Sequence, residues 1–314
     1  MMMSFETIYE QVQQLANDSS TAATTLIKNL VNQTQGVLLA LRKDITEGSA
    51  TDTTVASQQA YYLPYNYGKM ILATVTVGSI IYPMREIEDD VLWRQLNARG
   101  TSFTSNIPQF FYIFNDQIYI YPTPSSASNT ITMYYHKIVK DMTADDYVTG
   151  TITTLANAGT AVTGSSTVWT ALMVGRFLRV TNDGFWYEIA SRTSNTAIAL
   201  KKKFQGTAIS AGSDAYIIGE MSLIPENYND LLVWRPTAIY YQQKGETAKA
   251  KDYWMMYDGG YSIGLREKPG AMVDQFINDR SSKVESAVIS GELARMKRDV
   301  GLADPNKFPQ NLTS

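Results

Sequence analysis

The sequence predicts an α+β protein: a helical bundle built from the N- and C-terminal regions, with β-hairpins and an inserted small all-β module of sandwich or barrel type. Three observations predict it. Apolar residues recur at helical spacing in residues 5–47 and again from 227 onward. Aromatic and β-branched residues alternate about a two-residue turn in residues 110–121. The Thr- and Gly-rich stretch 143–220 is nearly uncharged before Arg176, with turn signals about every 8–12 residues, the spacing of a small sandwich or barrel.

The elements follow in order. Phe5, Ile8, Val12 and Leu15 fall at steps of three and four, one face of a first helix. Asp18, Ser19 and Ser20 interrupt it and offer caps, because their short oxygen side chains accept from free N–H groups. A second helix carries Ala23, Ile27, Leu30, Val31 and Thr34; Gly36 is expected to weaken it, with a third segment, Val37–Ile45, to follow. Gly48, Ser49 and Asp52 read as a loop. Val55, Tyr61, Leu63, Tyr67 and Met70–Val77, broken by Pro64, Gly68 and Gly78, read as three strands. A helix over Glu86–Ala98 follows, led in by Pro83. Its acidic start (Glu86, Glu88, Asp89, Asp90) suits the positive pole of a helix.

Phe110–Phe114, Asn115-Asp116 and Gln117–Tyr121 form the clearest hairpin, and Ile131, Met133 and Tyr135 alternate as a further strand. In the module, Gly150–Leu155, Thr160–Gly164, Phe177–Thr181, Trp186–Ser191, Ala197–Leu200 and Tyr216–Ile218 are β-prone. Asn227–Gln243 returns to helix, with Pro236 expected to kink or restart it. Glu246–Leu265 completes an antiparallel helix pair, and a last helix spans Ser281–Val300 before an end with little to bury. Three regions result: a helical core with hairpins (1–142 and 221–268), the inserted module (143–220), and a C-terminal helix and tail (269–314). The two helical ends are expected to pack together, since neither alone offers enough apolar surface for a bundle.

Composition narrows the chemistry. The 314 residues are 44% apolar, enough for a sizeable core, and carry 27 Lys+Arg against 30 Asp+Glu, a formal charge of −3. There is no Cys and one His, His136, which removes disulfides, thiolate metal sites and Cys nucleophiles. Any Ser-His-Asp triad would run through His136, and no Gly-x-Ser-x-Gly elbow occurs. His136 reads as a hydrogen-bonded strand residue on the face opposite Tyr135. The start MMMSFETIYEQ lacks the cationic-then-apolar layout of a signal peptide, and no apolar run reaches membrane-spanning length. The carboxylates Glu86/Glu88/Asp89/Asp90 and Asp145/Asp146 read as helix caps and loop charges rather than a glycosidic pair or a calcium loop. Lys201-Lys202-Lys203 reads as a solvated strand end, and Gly259–Gly264 lacks the Lys-Ser/Thr of a phosphate loop. The five Trp (93, 169, 186, 234, 254) read as core, with a sugar-binding surface as the competing use. No cofactor, metal or catalytic residue is expected.

The helix Ser281–Val300 is more informative. Its cations (Arg280, Lys283, Arg295, Lys297, Arg298) outnumber its acids (Glu285, Glu292, Asp299), and its apolar stripe is thin, as in a segment that orders on a partner.

Four stretches, spanning roughly residues 60–265, resemble the head-to-tail adaptors (connector, head completion or tail tubular A-type proteins) of tailed bacteriophages. They are YYLPYNYGKMILATVTVGSIIYPMREIEDDVLWRQLNA; IPQFFYIFNDQIYIYPTPSSASNTITMYYHK with DMTADD; TGSSTVWTALMVGRFLRVTNDGFWYEIAS; and GEMSLIPENYNDLLVWRPTAIYYQQKGETAKAKDYWMMYDGGY. The resemblance implies a structural virion protein, assembled in the host bacterial cytoplasm. It implies a homo-oligomeric ring, usually of twelve copies, joining the portal of the DNA-filled head to a tail or nozzle protein, with a tail fibre left open as a further partner. Double-stranded DNA would pass without sequence-specific binding, and no membrane is involved. It also implies that Ala271–Ser314 docks on the portal, the candidate contacts being Val284, Val288, Leu293, Arg295, Met296, Arg298 and Phe308. The inserted module departs from many short adaptors. Two other readings stay open: a virion carbohydrate-binding or tail-fibre-attachment protein acting through that module, and a cell-wall glycosidase using Glu86 or Asp89.

Overall fold

The computed structural model describes residues 3–98, 104–181, 183–258 and 272–279, and the chain divides into two compact units, Met1–Pro236 and Thr237–Ser314. The first unit opens with two packed helices. α1 (Phe5–Ala16) starts where the Ser4 hydroxyl accepts from Thr7 N at 3.3 Å, and ends at Asn17, whose φ of 49° turns the chain left-handed. α2 (Thr21–Leu41) is capped by Ser20 and buries Ile27, Leu30, Val31 and Leu38. Gly36 does not divide it, so the expected third segment is the last turns of α2. A helical Gly costs about 1 kcal/mol, less than the burial of Leu38 and Leu39 at about 1.5–3 kcal/mol each.

A short 3-10 turn (Lys43–Thr46) leads to β1 (Glu47–Thr53), β2 (Ala60–Tyr62), β3 (Tyr67–Val77) and β4 (Ile80–Glu86). Then come α3 (Asp90–Asn97), β5 (Thr104–Ser105), β6 (Phe110–Phe114), β7 (Gln117–Tyr121), β8 (Thr123–Pro124) and β9 (Thr130–Lys137). Seven of these strands form one sheet in the order β1-β9-β3-β4-β6-β7-β2, and β5 pairs with β8 alone. Three expectations are corrected. Gly48, Ser49 and Asp52 lie in β1, which pairs with β9 from Glu47↔His136 to Thr53↔Thr130; a Cβ at Gly48 would run into the Lys137 side chain. Pro83 lies inside β4 rather than leading into a helix. Arg85 N donates to Gln109 O, so the Pro83 nitrogen two residues earlier faces the same side, before β6 begins to pair at Arg85↔Phe110. The helix begins at Asp90, not Glu86, because Asp89 is the cap, accepting from Val91 N at 2.8 Å and Leu92 N at 3.3 Å.

The β6–β7 hairpin turns at Asn115 (φ 50°) and Asp116 (φ 57°), the left-handed pair a tight turn needs. Its two faces have different fates. Phe111, Ile118 and Ile120 join the sheet core with Met84, Ile131, Met133 and Tyr135. On the other face Trp93 of α3 stacks on Tyr112, centroids 5.2 Å apart, with Tyr119 and Tyr121 edge-on.

The second sheet holds β10 (Thr151–Leu155), β11 (Ala161–Ser165), β12 (Phe177–Val180), β13 (Tyr187–Ser194), β14 (Ala197–Leu200), β15 (Ile209–Asp214) and β16 (Tyr216–Gly219). Its order is β15-β10-β11-β14-β13-β12-β16, every pairing antiparallel. Ala215 alone separates the two edge strands. One residue spans under about 4 Å, so the chain passes directly from one edge of the sheet to the other, and the sheet curls around its core. Trp169, fully buried there, donates from Nε1 to the Tyr216 hydroxyl at 2.8 Å, which donates to Thr149 O at 2.6 Å. β15 was not foreseen; its Ser, Gly and Asp are poor strand formers.

α4 (Leu231–Gln243) starts four residues later than Asn227, after a 3-10 turn at Glu226–Tyr228, and continues through Pro236, immediately before the unit boundary. In the second unit Gly245 (φ 79°) turns the chain into α5 (Thr247–Asp258), and Tyr241 stacks on Tyr253 at 5.8 Å. α6 (Met272–Asn278), unforeseen, packs on α5. The expected helix Ser281–Val300 lies outside the described residues, as do Gly259–Gly264.

Trp169→Ala is expected to destabilise the second sheet by about 3–5 kcal/mol, as large buried aromatics do when truncated. Thermal unfolding followed by near-UV circular dichroism checks this; an unchanged midpoint would show that the sheet does not depend on that core.

Candidate functional site at the crossing of three chain segments

Three stretches of the first unit meet at one place: the start of α1, the segment from β9 to β10, and the segment leaving β16. Backbone bonds draw them together. Phe5 N donates to Glu220 O at 2.8 Å, and Tyr147 and Ile218 exchange N–H···O bonds of 2.9 Å. Ser4 and Met221 form a further bridge. Side chains complete the joint. Glu220 Oε2 accepts from Thr143 N (2.8 Å) and Ala144 N (2.9 Å), and its Oε1 meets Lys140 Nζ at 3.0 Å. Asn32 of α2 grips Met142 both ways, donating to its carbonyl and accepting from its N–H, each at 2.9 Å. Asp145 accepts from Tyr9 Oη (2.9 Å) and Lys28 Nζ (2.6 Å). Asp146 accepts from Ser4 Oγ at 2.7 Å, and its own N–H donates to Glu6 at 2.5 Å.

The carboxylates differ in charge preference. Burial pushes Glu220 up, but the two N–H donors and Lys140 outweigh it and hold the carboxyl below its ordinary value. Asp145 is likewise held down, Lys28 and Tyr9 outweighing burial. Asp146 is pushed up to about 6 by burial, with Glu6 and Glu10 adding to it against Ser4 and Arg179. Its Oδ1 has no hydrogen-bond partner among the described residues, and neither do Arg179 Nε and Trp186 Nε1 beside it. The crossing is tight: a Cβ at Gly219 would stand 2.8 Å from both Asp146 Oδ1 and Ser4 Cβ. The donors and acceptors here hold chain to chain.

The residues singled out in sequence separate clearly. Asp145 and Asp146 come together at the crossing. Glu86 and Glu88 are exposed, Asp89 caps α3, and Asp90 pairs with Arg94 at 2.9 Å. His136 bonds through Nδ1 to Lys43 O at 2.9 Å, across β1. Lys201 meets Glu188 at 2.8 Å, while Lys202 and Lys203 are exposed. Trp93 and Trp169 are core; Trp186, Trp234 and Trp254 are half-buried. Val284, Val288, Leu293, Arg295, Met296, Arg298 and Phe308 lie outside the described residues. Sequence reasoning missed Ser4, Asn32 and Glu220, single polar residues with no motif spacing; only the apolar surroundings of Glu220, between Ile218 and Met221, hinted at a buried acid. Among the described residues no cluster of three His, Asp or Glu could hold a metal, and no helix is long and apolar enough to cross a membrane.

Two sheets bound through one polar crossing make a structural scaffold. The family model for the SU10 adaptor protein matches residues 3–160, half of the chain. The chain belongs to this family of tailed-phage head–tail adaptors, and its role is that of a structural phage adaptor. No curated protein matches the chain at a significant level.

The match spans α1, the first sheet and the crossing through Asp146, so two outcomes are expected there. The stabilising effect of neutral Asp146 is full below pH 3.8 and is lost as pH rises through about 6. Asp146→Asn therefore raises the thermal midpoint above pH 6 and leaves it unchanged near pH 4; a shift equal at both would refute this. Glu220→Ala leaves two N–H groups without their charged acceptor and is expected to cost about 1.5–3 kcal/mol, read from urea unfolding.

Proposed function

We propose that the chain is the structural virion protein that lies side by side with copies of itself, in a ring of about twelve, between the portal of the DNA-filled head and the tail. The observation that carries this reading is the adaptor-family match over residues 3–160. A ring needs one patch on each copy to meet a different patch on the next. The surplus of acids, −3 overall, supports a channel that double-stranded DNA traverses without being held. We read residues 271–314 as the portal-docking arm, with Val284, Val288, Leu293, Met296 and Phe308 as apolar contacts and Arg295 and Arg298 as charged ones; the cation excess and thin stripe of that segment support this. We read 143–220 as an inserted module on a helical and hairpin core. In support, both connections of the second sheet run through the crossing at Asp146 and Glu220. The particle location that fits is the head–tail junction of the virion, after assembly in the bacterial cytoplasm.

Negative-stain imaging of the full chain mixed with its portal tests the reading. A ring capping the portal is expected, and removal of residues 281–314 should abolish that capping. A protein that stays monomeric and ignores the portal would overturn it.

A further inference from the structure

The first unit holds a cleft of about 330 Å³ between the last turns of α2 and the ends of β3 and β9. Its wall is apolar, formed by Leu39, Ala40 and Ile138, and three cations line it: Lys43, Lys69 and Lys137. None of the three has an ion-pair partner among the described residues. Asp44, next to Lys43, is taken by Arg42 at 2.8 Å, and Glu86 acts on Lys69 only through space. His136 holds the backbone of Lys43 at the rim. Cations without ion-pair partners beside a concave apolar wall, in a protein with surplus acid elsewhere, favour an incoming anionic group.

The same chain carries the complementary surface. Glu86, Glu88, Asp89 and Asp90 crowd the start of α3, and the next two residues, Val91 and Leu92, are 61% and 45% exposed. Among the described residues Glu88 has no ion-pair partner. Acid beside exposed aliphatic is the match for lysine beside an aliphatic wall, whereas phosphate groups match the lysines alone. We propose that the acidic end of α3 in one copy seats in the lysine cleft of the next copy, with Glu88 among the ammonium groups and Val91 on the apolar wall. The contact is head-to-tail, one patch against a different one, so it rests on the reading of the chain as one of several copies side by side.

Charge reversal of the full-length protein tests it, with sedimentation velocity alone and imaging on the portal as readouts. Association that weakens with salt is expected in the wild type. It should be weaker by about tenfold or more in K43E/K69E/K137E and in E88K/V91K, like charges across an interface costing at least that. It should recover when both sets are combined. Circular dichroism confirms that each variant folds. Association unchanged in either set, or loss with no recovery in the combination, overturns the proposal. A wild type that never associates, alone or on the portal, overturns it too. Should the lysine variant lose anisotropy-measured binding of a short DNA duplex while still self-associating, the cleft belongs to nucleic acid and the proposal falls. Rings that form on the portal with every variant overturn this contact while leaving the adaptor reading intact; a wild type that ignores the portal strikes at that reading itself.

Discussion

The chain leaves the first sheet after β9, builds a second sheet, and returns to start α4, and the peptide groups of both connections must find partners outside either ladder. That is the constraint on which the first unit depends. A buried N–H left unpaired loses about as much as a hydrogen bond contributes. The solution is local: Glu220 takes two N–H groups of the outgoing segment, Asn32 takes the N–H and carbonyl of Met142, and the N-terminus fills the remaining gap through Phe5 and Ser4. Without α1 and α2 the two sheets would be joined by two bare strands of chain.

Acids at this crossing are not interchangeable. Glu220 and Asp145 each face cations and donors, so ionisation supports the fold. Asp146 is buried, facing Glu6 and Glu10, with an oxygen that has no hydrogen-bond partner among the described residues, so ionisation works against it. Opposed preferences a residue apart mean that the joint tightens or loosens with protonation at Asp146 while its neighbours keep it closed.

Much of the architecture was legible because it is written in periodicity. The β6–β7 hairpin declares itself through its alternation and through Asn115-Asp116; α1 and α2 through their apolar spacing and the serines ahead of them. What escaped was decided by partners distant in sequence. β1 has Gly, Ser and Asp where a strand would show branched residues, and it is a strand because β9 supplies every pairing. Pro83 sits in a strand because β6 starts just beyond it. The acids around Glu86 were correctly read as a cap, but the capping residue is Asp89, a distinction of one hydrogen-bond pattern. Asn32 gave no signal and Glu220 only its apolar flanks, as each acts on backbone more than seventy residues away.

The return from β15 to β16 through Ala215 has a wider consequence. Any protein with exposed sheet borders faces the hazard of strands zipping together between molecules. The second sheet ties its two border strands to each other through that single residue, so neither border can drift outward toward a neighbour without pulling on the other. The first sheet has no such tie at β1, and there the border carries Glu47 and Asp52, whose charges keep like borders apart. One sheet tethers its borders through the chain and the other guards its border with charge, and both devices disfavour the merging of sheets between molecules.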